Sequence, residues 1–258
     1  MQIIADLRAE CKPGRLGGVL VRFDAIAAAS LDALTARDRA LAGEQAVHGI
    51  DAMKELELHT VLAEGLVSAG FGVHREVPYP ADAARGDNDR DRCDLVLTPS
   101  PGDRLADPVH AARRAEAAEG TLFAPLAGQI EAEAARGEVD PADAIWLEVK
   151  VVAQHCYRRG VPGPNRSYSG ELVDGPAGDA AKLGCDGLIR HAAVVVVVFT
   201  ETEAIARHDV GVMVHRLLDR DLPVGVPAIE AGPIVDRVGN GCVAVAVVRV
   251  RCGGYACS

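Results

Sequence analysis

Residues 192 to 199 read Ala-Ala-Val-Val-Val-Val-Val-Phe, an eight-residue apolar run containing five consecutive valines. β-Branched side chains favour extended backbone, and a strand without polar alternation has no side suited to water. Such a strand is buried on both faces, which requires a central place in a sheet covered by helices on both sides. The run is far short of the roughly 20 residues that cross a bilayer. At 258 residues the chain is ample for a buried core of this kind.

The remaining pattern supplies the partners. A helix is expected over 22–42, where Phe23, Ile26, Leu31, Leu34 and Leu41 recur, and a second from about Gly43 to Ala69 on the stripe Val47, Ile50, Met53, Leu58, Leu62 and Leu66. Gly70 ends it. Strands are expected at 71–79, 93–98, 145–153, 193–199 and 242–251, and helices at 177–191 and 201–220. A charge-dense turn, residues 85–92, joins the first two strands, and a loop rich in glycine and proline follows Ala153. Between Pro99 and Ala144, four prolines surround two alanine-rich stretches, 109–119 and 126–136, which read as a helical insertion between two strands of one sheet. The expected architecture is a single α/β domain over 1–258 with a mixed central sheet flanked by helices and a helical extension over 1–43.

Composition narrows the function. The formal charge is −10 and aromatics are 3% of the chain. Neither a global cationic surface for polyanions nor an aromatic platform for single strands is present. Asp6 and the absence of a long apolar segment argue against a secretory leader. The seven cysteines contain no CxxC pair, which points to reduced thiols and a cytoplasmic setting. His155-Cys156 has no second ligand pair at zinc spacing.

The chemistry concentrates in Ile145-Trp-Leu-Glu-Val-Lys-Val-Val-Ala. Side chains alternate along a strand, so Glu148 and Lys150 share a face with Trp146 and Val152. A carboxylate and an ammonium in an apolar strand are costly unless paired or liganded; an edge strand with both exposed is the competing explanation. The preceding strand, Cys93-Asp-Leu-Val-Leu, carries one carboxylate as well, Asp94. Only four of the 27 basic residues are lysines (Lys12, Lys54, Lys150 and Lys182), and one of them stands two residues after Glu148.

Asp on one strand followed by Glu-x-Lys on the next resembles the PD-(D/E)XK phosphodiesterases, the restriction-endonuclease-like superfamily. The likeness spans roughly residues 44–250, with 99–144 as an insertion longer than the usual hairpin, and cysteine rather than proline before Asp94. The resemblance implies a restriction endonuclease-like core and a metal-dependent nuclease, acting on DNA, that uses Mg²⁺ or Mn²⁺. Asp94, Glu148 and the Val149 backbone carbonyl would bind metal, and Lys150 would attend the attacking water. Carboxylate oxygens suit such hard ions, and a compact ammonium suits that water better than a guanidinium. Two carboxylates more than about 8 Å apart could not share one ion. The family's acidic helix corresponds to the segment before Gly70; its spacing favours Glu57, with Glu64 on the same face and Glu55 on another. Gln154 resembles a glutamine many members place after the motif. Asp179 and Lys182 resemble an acid-xx-Lys-Leu segment of some relatives, and a surface i, i+3 ion pair explains them equally.

No acidic side chain lies between Glu148 and Glu171, whereas Arg158, Arg159 and Arg166 do. They are candidates for phosphate contacts. On an acidic chain this predicts a small, local contact surface or a basic partner protein that supplies the rest, and double-strand cutting, which calls for two active sites, suits a homodimer on symmetry grounds. The competing reading is an inactive nuclease-fold protein acting as a nucleic-acid-binding or assembly subunit. A small-molecule α/β enzyme is disfavoured by the lack of a glycine-rich phosphate loop or G-x-S-x-G elbow.

Overall fold

The computed structural model describes residues 22–80, 91–107 and 138–252, with the backbone of Arg15–Leu16 and Val19–Leu20. The turn residues 85–90 and the stretches 109–119 and 126–136 lie outside the described residues. Among the described residues four helices, α1 (Phe23–Gly43), α2 (Glu55–Ser68), α3 (Tyr168–Cys185) and α4 (Glu203–Asp219), accompany six long strands. These are β1 (Gly72–Pro78), β2 (Arg92–Thr98), β3 (Ile145–Ala153), β4 (His191–Thr200), β5 (Ala228–Pro233) and β6 (Cys242–Val250). They form one mixed sheet in the order β5-β6-β4-β3-β2-β1. Only β3 and β4 run parallel; the other neighbours are antiparallel.

The valine strand β4 is central and wholly buried, and its two faces belong to two cores. Ala193, Val195, Val197 and Phe199 pack with Ile26 and Leu34 of α1 and Leu58, Leu62 and Leu66 of α2. Ala192, Val194, Val196 and Val198 pack with Leu172, Ala180 and Leu183 of α3 and Val210, Met213 and Leu217 of α4. The α1–α2 contact is close: a Cβ on Gly65 would lie 2.4 Å from the Ala33 Cβ.

Several boundaries depart from the sequence pattern. The expected helix from 43 to 69 is α2 alone, preceded by a 3-10 turn at Ile50–Ala52. Gln45 takes a left-handed φ of 55° and Val47 is 77% exposed, so the stripe before Ile50 was fortuitous. α3 begins nine residues before the expected 177, because Pro176 is accommodated inside it and its Gly-rich start disguises the apolar face Leu172, Val173, Pro176 and Ala177. β5 carries no apolar alternation and was not anticipated. The loop after Ala153 contains a hairpin, His155–Arg158 paired with Val161–Pro164. The insertion's described ends pair in parallel through Arg104–Leu105 and Glu138–Val139.

Cys93, Cys156, Cys242 and Cys252 are free thiols, but Cys185 is disulfide-bonded, a departure from uniformly reduced cysteines. It lies half-buried at the end of α3. Among the described residues no helix is long and apolar enough to cross a membrane.

Candidate metal centre

β2 and β3 pair only at Leu95–Leu147, Val96–Trp146 and Leu97–Ile145. One step further along this register Asp94 would face Glu148, and there the ladder stops. The Asp94 side chain takes over its role: Oδ2 accepts a hydrogen bond from the Val149 N–H at 2.8 Å. The strands thus part where the charged residues begin, and the opening lies between the α2 layer and the α3 layer. Side chains from both layers enter it. Lys150 Nζ stands 3.6 Å from Glu55 Oε1 of α2 and 3.3 Å from Asp179 Oδ2 of α3. Gly175 of α3 leaves room for the Lys150 stem, since a Cβ there would meet Lys150 Cδ at 3.3 Å.

Glu148 is 3% exposed. Its Oε1 accepts from the Tyr79 hydroxyl and from Lys182 Nζ, the latter at 2.8 Å. Tyr79 is itself held between the Trp146 ring, stacked 5.9 Å away, and the Lys182 ammonium, 4.8 Å from the Tyr79 ring centroid. With Oε1 doubly engaged, Oε2 remains for another partner. The Asp94 and Glu148 carboxyl groups lie side by side where the ladder stops, close enough for the Asp94 charge to raise the Glu148 pKa.

The electrostatics follow from crowding. Burial, and then the Asp94 charge, raise the Glu148 pKa against the pull of Lys182 and Tyr79. Burial likewise raises Asp94, partly offset by the Val149 N–H. Asp179 is pushed up to about 6 by burial and by the Glu148 charge. Burial works to lower Lys150, but Asp179 and Glu55 outweigh it and hold the ammonium above its usual value. Four carboxylates (Glu55, Asp94, Glu148 and Asp179) face two ammonium groups, a residual of two negative charges. A divalent cation has the charge to balance it.

Asp94, Glu148 and Lys150 are therefore brought together. Glu57 is not: its carboxylate caps α2, accepting from the Lys54 N–H at 2.8 Å, and is exposed. The helix acid at the cluster is Glu55, two residues earlier than the spacing to Gly70 suggests; its side chain is exposed, as is that of Glu64, but it reaches Lys150. Gln154 is not drawn into the cluster either, because its Oε1 accepts from the Glu201 N–H at 3.1 Å and so ties the end of β3 to the end of β4. Of Val149, the N–H engages Asp94. Asp179 and Lys182 do not form a surface pair. Each reaches a residue of β3 instead.

His59 was not anticipated. It is 3% exposed on α2, and neither ring nitrogen has a hydrogen-bond partner. Burial lowers its pKa, favouring the neutral imidazole that ligates metals. His59, Glu76 and Asp94 each offer a ligand atom, all within 4.8 Å of one another. The available sequence signal was a histidine within the apolar stripe of α2.

Arg158 and Arg159 are exposed at the turn of the hairpin, and Arg159 takes a left-handed φ of 52°. The hairpin is rooted by the fully buried Asn240, which bonds the His155 N–H and carbonyl, both at 3.0 Å, and Asp51 at 2.8 Å. Arg166 lines an open cleft of about 820 Å³ together with Lys150 and three carboxylates, Glu55, Glu171 and Asp174. Among the described residues none of these three arginines has an ion-pair partner. No protein-family model, curated protein or solved structure matches this chain.

Proposed function

We propose that this chain is a divalent-metal-dependent nuclease with a restriction-endonuclease-like core, hydrolysing phosphodiester bonds in DNA. One observation carries the reading: Asp94 and the buried Glu148 meet at the parting of two strands, with Lys150 alongside, in a half-buried cluster short of two positive charges. The order of β1 to β4 and the helix before them also agree with that core. The carboxylate-rich donor set fits Mg²⁺ or Mn²⁺. A bound ion would lower the pKa of a water and offset charge on the phosphorane.

The chain's own groups do the rest. Asp94 and Glu148 would hold the ion, and Tyr79 and Lys182 fix the Glu148 carboxylate by one oxygen. Lys150, kept protonated by Asp179 and Glu55, orients the attacking water and stabilises developing negative charge. The cleft beside Lys150 admits the nucleic-acid backbone, with Arg166 on its wall and Arg158 and Arg159 on the neighbouring hairpin.

The test is cleavage of plasmid and linear DNA with Mg²⁺ or Mn²⁺ by the wild type, Lys150→Ala and Asp94→Ala. Metal-dependent cutting by the wild type alone supports the reading. Equal activity in all three proteins means a different site. An inactive wild type on duplex, single-stranded and branched DNA favours the binding-subunit alternative.

A further inference from the structure

We propose a second cation site, formed by His59, Glu76 and Asp94 on the α2 side of the cluster, with Asp94 shared between it and the Asp94–Glu148 site. The inference rests on the preceding reading only for the occupancy of that first site. Four observations bear on the second.

The first is distance. One donor atom from each of the three residues lies within 4.8 Å of the other two. Two ligands on opposite sides of an ion, with bonds of about 2.1 Å, are roughly 4.2 Å apart. Only one pair of the three can be so opposed; His59 Nδ1 and Asp94 Oδ1, 3.9 Å apart, suit that span, and Glu76, an exposed, flexible side chain, closes a remaining gap of up to about 2 Å.

The second is the imidazole. A buried polar group without a partner calls for an explanation, and His59 has two such nitrogens. Nδ1 stands 3.9 Å from Asp94 Oδ1, and Nε2 stands 4.0 Å from Glu55 Oε1. These spacings are too long for hydrogen bonds. They are in keeping with one nitrogen facing a cation and the other turned toward an outer carboxylate, the arrangement that fixes a ligating tautomer.

The third is the backbone of β1. Glu76 has a left-handed φ of 52° in mid-strand. Arg75–Leu95 and Val77–Cys93 keep the same register on either side, so no residue has been inserted. The missing rung is the one at which Glu76 would face Asp94. A non-glycine residue in this conformation is strained, and such strain gathers at ligand sites.

The fourth is the use of the Asp94 oxygens. Oδ2 is committed to the Val149 N–H, while Oδ1 looks toward His59. Glu148 offers Oε2 from the other side. The donors therefore fall into two sets that meet at Asp94. One is all carboxylate; the other contains a nitrogen, which selects a transition ion of the Mn²⁺ class over Mg²⁺ or Ca²⁺.

The experiment is a Mn²⁺ titration of the full chain, followed by electron paramagnetic resonance of free and bound ion, with folding of each variant checked by thermal unfolding. The expected result is two ions per wild-type chain. Glu76→Gln, exposed and nearly isosteric, should lose one ion or weaken it about 100-fold, as should His59→Gln, by the scale of lost metal partners. Glu148→Gln should lose the other ion and keep the His59 site. A wild type that binds one ion, lost in Glu148→Gln but untouched by Glu76→Gln and His59→Gln, overturns the second site and leaves the nuclease reading intact. One ion lost in Glu76→Gln and His59→Gln but kept in Glu148→Gln supports the second site and removes the first. No bound ion overturns both.

Discussion

Lys182→Met tests whether the cluster is held by its internal cations. The substitution keeps most of the side-chain stem but removes the ammonium, which stands 2.8 Å from Glu148 Oε1 and 4.8 Å from the Tyr79 ring centroid. Removing one partner of a fully buried ion pair costs about 3–5 kcal/mol, and a single hydrogen bond to a charged group about 1.5–3 kcal/mol. Glu148 is 3% exposed, but the Lys182 side chain is 33% exposed, so water can solvate part of the deficit. The lower range applies, about 2 kcal/mol, or a fall in Tm of about 6 °C for a chain of this size. Thermal unfolding at pH 7.5 with a chelator present measures it. Because burial raises the Glu148 pKa, lowering the pH protonates that carboxylate early, and the deficit should narrow on acidification. The decisive arm is the cycle with Glu148→Gln. In that background no buried carboxylate is left stranded, so Lys182→Met should cost under about 1 kcal/mol, the scale of the lost contact with the Tyr79 ring. Equal costs in both backgrounds would refute the reasoning.

Asp179, at about 6 against 3.8 for the unperturbed group, binds its proton more tightly in the folded state. Its contribution therefore makes stability fall as pH rises from about 4 to about 6 and level off above; urea unfolding at several pH values should show that slope diminished in Asp179→Asn, and a steeper slope would contradict it. Gly65→Ala gains about 1 kcal/mol of helix propensity but drives a Cβ to 2.4 Å from the Ala33 Cβ and 3.1 Å from the Ala29 carbonyl oxygen. Overpacking of this kind costs about 1–3 kcal/mol, so the net expectation is a lower denaturant midpoint. Replacing Arg158 and Arg159 together should weaken DNA binding and reduce the slope of log K against log salt by up to about 2; an unchanged slope would remove the hairpin from the interface.

The layers were legible because burial writes itself into residue type. A strand that must be apolar on both faces has little alternative to the valine run, and a covering helix must show a stripe such as Leu58, Leu62 and Leu66. What escaped was set by contacts remote in sequence. α3 begins early because Leu172, Val173 and Pro176 find a sheet to cover, which outweighs the poor propensity of its glycines and proline. β5 is an edge strand and pairs through its backbone, so its side chains announce nothing.

The site shows the same division. Asp94, Glu148 and Lys150 stand out because charges in apolar strands are anomalous wherever they occur. Glu55, His59, Tyr79, Asp179 and Lys182 are ordinary residues at their own positions and become significant only where β2 and β3 part. Helical phase alone could not choose among Glu55, Glu57 and Glu64. The opening in the sheet chose Glu55, because Lys150 reaches it there, while Glu57 is held back by the Lys54 N–H at the end of α2. Asp179 and Lys182 are three apart and opposite in charge, yet each is drawn to an opposite charge on β3 rather than to the other. A surface pair gains little in water, whereas Glu148, which is buried, cannot be left uncompensated. The unmet charge of the central strand thus organises the helices around it, and this explains why so many of the cluster's members come from α2 and α3 rather than from the strands that carry the motif.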